Sequence, residues 1–307
     1  MSTTTALPPV ATKPGTPVTR GKMKSFYPSW FYIPATAMYV VFFAVPTFAS
    51  FYFALTRWSL FTTTFIGFGN FVEFFQDPQL YQGFINTFIY GFVTSAAKVV
   101  LGLALAILLT SPLLGRGYLR AVVFFPVLVS TIGVGLTFKA LLDPYHGIVN
   151  GVLKNVFGIT GPGWLTDPHI ALLTVAGVDV WKGVGIATLI FIAGIVAIPQ
   201  EYFEAARVDG AGSWSIFKSI TLPLSRPAMG TVIILSLIGG LRSFDLIWAM
   251  TKGGPGFTSD VIASVIYKQY QAGFYGLSTA GNVILFIVVT AIMIPVTKLL
   301  NRKEVDV

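Results

Sequence analysis

Apolar residues gather in six long runs, separated by stretches where polar residues, Gly and Pro collect. A helix needs about 20 mainly apolar residues to cross the ~30 Å hydrocarbon layer. The runs that qualify are Phe31–Leu55, Phe84–Leu109, Ala121–Phe138, Ile170–Ile198, Ala228–Met250 and Leu277–Leu300. They are apolar all round and lack the alternation of a membrane strand, so they read as helices in lipid. Nearly half of the 307 residues lies in them, which leaves no stretch for a separate catalytic domain. The predicted fold class is therefore all-α, a polytopic membrane protein with six transmembrane helices. Residues 26–307 form the membrane domain, and residues 1–25, rich in Thr and Pro, are predicted to be a disordered tail. A cleaved leader fits less well, because the polar stretch is long and the first apolar run exceeds a leader's apolar region.

Composition agrees: 54% of residues are apolar, 10% are charged, and the mean hydropathy is +0.77, whereas about a quarter of a soluble domain is charged. The absence of Cys excludes disulfides, thiolate metal sites and cysteine nucleophiles, and two His, His146 and His169, are too few for a histidine-rich metal site. The formal charge of +8 reads as topology. With a cytoplasmic N-terminus, twelve basic residues fall on inner segments (Lys13, Arg20, Lys22, Lys24, Arg116, Arg120, Arg207, Lys218, Arg226, Lys298, Arg302, Lys303) and five on outer ones (Arg57, Lys139, Lys154, Lys252, Lys268). That bias places both termini inside the plasma or inner membrane, and no nucleic-acid motif competes for the charge. Three outer connections, Thr56–Gly83, Lys139–His169 and Thr251–Gly276, carry turn formers such as Asp143-Pro144, Gly161-Pro162-Gly163 and Gly253-Gly254-Pro255.

The inner connection from 199 to 224 predicts two short helices at an angle. Pro199 suits a first turn, Glu201 and Glu204 complement the helix dipole, and Gly210 permits the positive φ that ends a helix. Ser213 is expected to cap the second helix and Pro223 to end it. Tyr202, Phe203, Ala206 and Val208 supply an apolar side, and Ala205, Ala206 and Gly210 are small enough for another backbone to approach closely. The sequence Glu204-Ala205-Ala206, three residues, Gly210, nine residues, then Ile220-Thr221-Leu222-Pro223 resembles the EAA loop of the membrane subunits of bacterial ABC importers. Phe65-Ile-Gly-Phe-Gly-Asn70-Phe with Asp77-Pro78, and Phe244-Asp245-Leu-Ile-Trp248-Ala-Met-Thr251-Lys-Gly253-Gly254-Pro255, look like the carbohydrate-uptake branch, similar to the larger maltose permease subunit and the glycerol-phosphate permease. The likeness runs from about Trp30 to Leu300.

The resemblance implies a type I importer permease fold, in which Glu204, Ala205, Ala206, Asp209, Gly210, Ile220, Leu222 and Pro223 couple the helices to a cytoplasmic ATPase. It implies a second permease (a heterodimer), two ATPase subunits and an extracytoplasmic solute-binding protein as partners. No Gly-x-x-x-x-Gly-Lys-Ser/Thr stretch occurs, so this chain is expected to bind no cofactor, with ATP and Mg held by the partner ATPase, and to be no enzyme itself.

Five ionisable residues fall within the predicted spans: Lys98, Asp179, Lys182, Arg242 and Asp245. Each costs at least ~2.5 kcal/mol at the bilayer centre unless it is paired or meets water. Arg242 with Asp245, and Asp179 with Lys182, are i,i+3 pairs expected to neutralise each other. Lys98 has two options, Asp179 across helices or the interface. Positions matching the family's sugar contacts are Lys182, Gly183 and Ile186 before the loop, and Ser236, Gly239, Gly240 and Ser243 after it. The residue types differ from the family's aromatic and amide contacts. Trp181 and Trp248 are near enough to stack on a sugar, or serve packing or the interface. The expected activity is inward movement of a sugar or sugar-like solute by alternating access. The alternatives are a glycerol-phosphate or polyol cargo, with Lys182 and Arg242 as anion partners, an ion-coupled secondary transporter, and a membrane-embedded enzyme.

Overall fold

The computed structural model describes residues 29–59 and 61–301. The predicted tail, with Lys13, Arg20, Lys22 and Lys24, lies outside them, as do Arg302 and Lys303. The chain forms two compact units, residues 1–46 and 47–307. In the first, the helix Ile33–Tyr39 widens into a π-helical turn at Val40–Ala44. This helix opens α1 (Trp30–Ala54), which matches the first predicted span within one residue at each end.

In the second unit, α3 (Pro78–Thr110) begins six residues before the predicted start. The Asp77 carboxylate accepts the N–H groups of Gln79 at 2.7 Å and Leu80 at 3.3 Å, and Pro78 fills a position whose N–H needs no helical partner. A capped start thus carries the helix beyond the apolar run, to about 50 Å at 1.5 Å per residue. α7 (Ala171–Val196) and α13 (Tyr275–Asn301) agree with the fourth and sixth predicted spans to about two residues.

The other two spans are broken. In place of one helix over Ala121–Phe138 there are α4 (Arg116–Leu128) and α5 (Thr131–Leu141), which meet at 96°. Pro126 lacks the N–H that would continue the ladder, and Val129 is extended. The fifth span is α10 (Arg226–Leu241), about 24 Å long. It is joined to the preceding helix by a 66° bend and followed, after a break, by α11 (Asp245–Met250). Among the described residues four helices are long and apolar enough to cross a membrane unbroken, and up to six spans result if each bent pair counts as one.

Small residues set the helix seams. A Cβ on Gly102 of α3 would sit 2.8 Å from Ala187 Cβ of α7, and one on Gly240 of α10 would sit 2.8 Å from Gly91 Cα of α3. In lipid no hydrophobic effect drives helices together, so close backbone approach is a main source of packing energy. Phe191, Val232, Ala106 and Leu109 fill the core around the first seam.

The connections expected on the outer side are folded. β1 (Thr56–Trp58) pairs antiparallel with β2 (Thr63–Phe65), a small exception to the all-α expectation. Short helices follow: α2 (Gly69–Gln76), α6 (Ile148–Phe157) and α12 (Ile262–Gln271). Asn70 ties the hairpin to α2, donating to the carbonyls of Ala54 and Thr56 at 2.8 Å each. The backbone N–H groups of His146 and Tyr145 donate to Asp143, holding its carboxyl below the usual carboxylate range. Asp260, fully buried, pairs with Lys268 at 2.6 Å and accepts from Ser264 Oγ at 2.7 Å. Asn86 of α3 donates to the carbonyls of Thr258 and Asp260 at 2.8 Å, so the outer Gly-Gly-Pro loop is fastened to the second span.

Candidate functional site: an exposed loop and a polar cluster between two spans

The connection from 199 to 224, expected on the inner side, is the predicted pair of helices, α8 (Gln200–Val208) and α9 (Ser213–Leu224). Gly210 turns the chain between them with φ +74°, and the N–H groups of Gly210 and Ala211 return to the carbonyls of Arg207 and Ala206. Four details differ from expectation. Pro199 is the extended N-cap residue, just outside the helix and not in its first turn. Glu204 lies beyond the first turn, where Glu201 alone meets the dipole. Gly212, extended at φ −72° and ψ 164°, holds the N-cap position, so Ser213 is the first helical residue and caps nothing. Pro223 does not end α9, which continues to Leu224 and breaks at Ser225. A π-helical turn over Phe217–Thr221 precedes the proline. The ring therefore sits in the first turn after the irregularity, where a missing N–H interrupts little.

The two ends of the motif are placed differently. Glu204, Ala205, Asp209 and Gly210 are exposed and Ala206 is half-buried. Val208 is 88% and Trp214 74% exposed, so the loop presents apolar side chains as well as carboxylates on its open face. Ile220, Leu222 and Pro223 are half-buried and Thr221 is buried, rooting the loop in the helices. The chain around 199–224 is thus rooted at its C-terminal end and exposed over its first helix and turn.

Within the membrane, Lys98 of α3 reaches across to Asp179 of α7 at 2.8 Å, with side-chain exposures of 10% and 22%. Gly183 makes room for it, since a Cβ there would lie 2.7 Å from Lys98 Cε and 3.1 Å from Nζ. This is why Asp179 does not pair with Lys182 as its spacing suggested. Arg242 and Asp245 do not pair either, because α10 ends at Leu241 and α11 starts at Asp245, putting them on different helices. Among the described residues, Lys182, Arg242 and Asp245 have no ion partner, and the last two are exposed.

The remaining pathway candidates divide by surroundings. Gly240 is spent on packing against Gly91 and Thr94, whereas Gly239 is exposed with nothing within 4 Å of its would-be Cβ. Ile186 is exposed, and Ser236 and Ser243 are half-buried. Trp181 is exposed and packs its ring 5.1 Å from Phe138. Trp248 stacks on Phe244 at 5.7 Å and meets the Tyr267 edge at 4.8 Å, so its face is partly used within the protein. Sequence reasoning missed Tyr90, whose fully buried hydroxyl lies within electrostatic reach of Asp179 and Ser243 but meets hydrogen-bond geometry with neither. The signal was present: Thr87, Gly91, Thr94, Ser95 and Lys98 recur at helical spacing along an otherwise apolar run, marking the buried face of α3. Among the described residues, no group of His, Asp and Glu could hold a metal ion.

Residues 23–305 match the family described as the inner membrane component of binding-protein-dependent transport systems. The chain belongs to that family. This inner membrane component is 34% identical over 264 residues to the trehalose/maltose transport system permease protein MalF of Thermococcus litoralis, covering 85% of this chain and 89% of that one. It is 30% identical over 288 residues to the multiple sugar-binding transport system permease protein MsmF of Streptococcus mutans (92% and 99% covered). With the lactose transport system permease protein LacF of Rhizobium radiobacter it shares 30% identity over 280 residues (88% and 93%). Its fold is that of a chain in the crystal structure of a bacterial ABC transporter that imports the acidic polysaccharide alginate, with a TM-score of 0.77, 24% identity and coverage of 89% and 94%. The inner membrane component therefore has the type I importer permease fold, and its exposed inner loop occupies the same region of sequence as the motif that suggested the family.

Proposed function

We propose that this chain is one of two permease subunits of an ATP-driven ABC importer that carries a sugar or sugar-like solute into the cytoplasm. The observation that carries the reading is the projecting loop 199–224. Its exposed Glu204, Ala205 and Val208 suit a groove on a separate ATPase, while Ile220, Leu222 and Pro223 anchor it to α9 and, through α9, to α10. When the ATPases bind ATP and close, the loops are drawn together, α7 and α10 move with them, and the cavity turns from the cytoplasm toward an external binding protein. The solute moves by population shift and this chain breaks no bond. ATP and Mg stay on the partner, in keeping with a sequence that has no phosphate-binding loop. The cytoplasmic placement of both termini follows from the twelve-to-five distribution of basic residues.

The pathway face is Lys182, Ile186, Ser236, Gly239, Arg242, Ser243 and Asp245. Three of these are ionisable and unpaired among the described residues. At ~2.5 kcal/mol or more each in hydrocarbon, they favour a face that meets water, cargo or the second permease. Carbohydrate as cargo rests on the sugar-transport relatives. A second reading, a glycerol-phosphate or other anionic polyol derivative, is favoured by the free cations of Lys182 and Arg242.

Reconstitution tests the assignment. The complete assembly with its binding protein should accumulate labelled sugar only with ATP, and this chain alone should accumulate none. Uptake by the isolated chain, or uptake that survives without ATP and collapses with an uncoupler, would overturn it. Competition by glycerol phosphate and not by neutral sugars would select the second reading.

A further inference from the structure

Beneath α8 lies a pocket of about 360 Å³ that the coupling role does not use. Apolar side chains of two spans line part of it, Ile107 of α3 and Ile195 and Val196 of α7, and Ile107 and Val196 are 37% and 64% exposed. Polar side chains line the rest, among them Ser111, Arg207, Ser213 and Thr221. No acidic residue lines it, and Arg207 forms no ion pair among the described residues. The helix carries two faces. Gln200, Phe203 and Arg207, at i, i+3 and i+7, look back into the pocket, while Glu201, Glu204, Ala205 and Val208 stay on the open face.

We infer that this pocket holds an anionic phospholipid of the inner leaflet, its acyl chain along Ile107, Ile195 and Val196 and its phosphate against the Arg207 guanidinium. Apolar side chains beside an unpaired cation, at the ends of α3 and α7, match the two halves of such a lipid, and pockets between spans that carry a cation suit charged head groups. The lipid would brace the rear of α8 while the ATPase grips its front. This inference rests on the inward orientation and the ATPase docking proposed above.

The test uses the assembled importer in detergent, with dioleoyl phosphatidylglycerol or phosphatidylcholine added and bound lipids counted by native mass spectrometry. The wild type should prefer phosphatidylglycerol. Arg207→Gln should lower that preference about fivefold, the effect of one charge near an anionic surface, and Arg207→Lys should keep most of it. Both variants should co-purify with the ATPase, and soluble glycerophosphoglycerol at the same concentration should not displace the lipid. Unchanged phosphatidylglycerol retention in Arg207→Gln would overturn the inference. Loss of the ATPase with lipid retained would also overturn it, by moving Arg207 to the docking face, and displacement by the soluble head group would replace the lipid with a free phosphate ligand. A wild-type chain that retains phosphatidylglycerol but never binds an ATPase would sink the proposed function and leave the lipid site standing.

Discussion

Lys98→Met removes the cation and leaves Asp179 behind in the seam between α3 and α7. The pair is 2.8 Å apart, with side-chain exposures of 10% and 22%. Removing one partner of a buried pair costs about 3–5 kcal/mol, because the surviving charge keeps its desolvation penalty and loses its compensation. Asp179 retains some exposure, so about 3 kcal/mol is expected, or a fall in Tm of roughly 6–12 °C at ~2–4 °C per kcal/mol for a chain of this size. The double variant Lys98→Met/Asp179→Asn removes both charges at nearly constant volume. It should recover most of the loss, a coupling of about 2 kcal/mol. Tryptophan-fluorescence melting of the purified protein in detergent, with all four members of the cycle, gives the result. If Lys98→Met melts within ~2 °C of the wild type, or the two single effects simply add, the pair is not the buried neutralising contact described here.

Other outcomes follow from the same geometry. Tyr90→Phe deletes a buried hydroxyl that lies beside Asp179 and Ser243 but meets hydrogen-bond geometry with neither, relieving a desolvation cost of about 1–3 kcal/mol. It should melt no lower than the wild type, and a clear drop would show that the hydroxyl has a partner. Gly240→Ala forces a methyl against Gly91 Cα at 2.8 Å and should destabilise by about 1–3 kcal/mol, whereas Gly239→Ala, with open space around it, should melt like the wild type. Gly210→Pro cannot adopt φ +74°, and Glu204→Lys reverses an exposed charge on the docking face. Both should insert in the membrane at wild-type levels by immunoblot while losing ATP-driven uptake, and normal uptake in either would show the loop to be misassigned.

Much of this architecture was legible because lipid imposes a length: Phe31–Leu55, Ile170–Ile198 and Leu277–Leu300 became helices with nearly those bounds. What hydropathy could not show was where an apolar run bends. Ala121–Phe138 reads as continuous because Pro126, Val129 and Ser130 differ little from their neighbours in polarity, although together they turn the chain by 96°. Pairing by i,i+3 spacing failed for both charge pairs for separate reasons. A helix break separates Arg242 from Asp245, and Gly183 opens a slot through which Lys98 reaches Asp179 before Lys182 can. The two-helix loop from 199 to 224 was the most legible part of the fold, since its positive-φ glycine and its spacing leave a local signature. The buried Asp260–Lys268 pair was not, because its partners meet only after the outer loop has folded onto α3.

The chain has no cysteine of its own, so single-cysteine crosslinking reads the central claim without background. Ala205→Cys and Val208→Cys, in the otherwise complete assembly, should each form a crosslinked product with the ATPase subunit, while Tyr145→Cys in the opposite outer loop should form none. Failure of both inner positions to crosslink to any partner, in an assembly that still transports, would contradict the account.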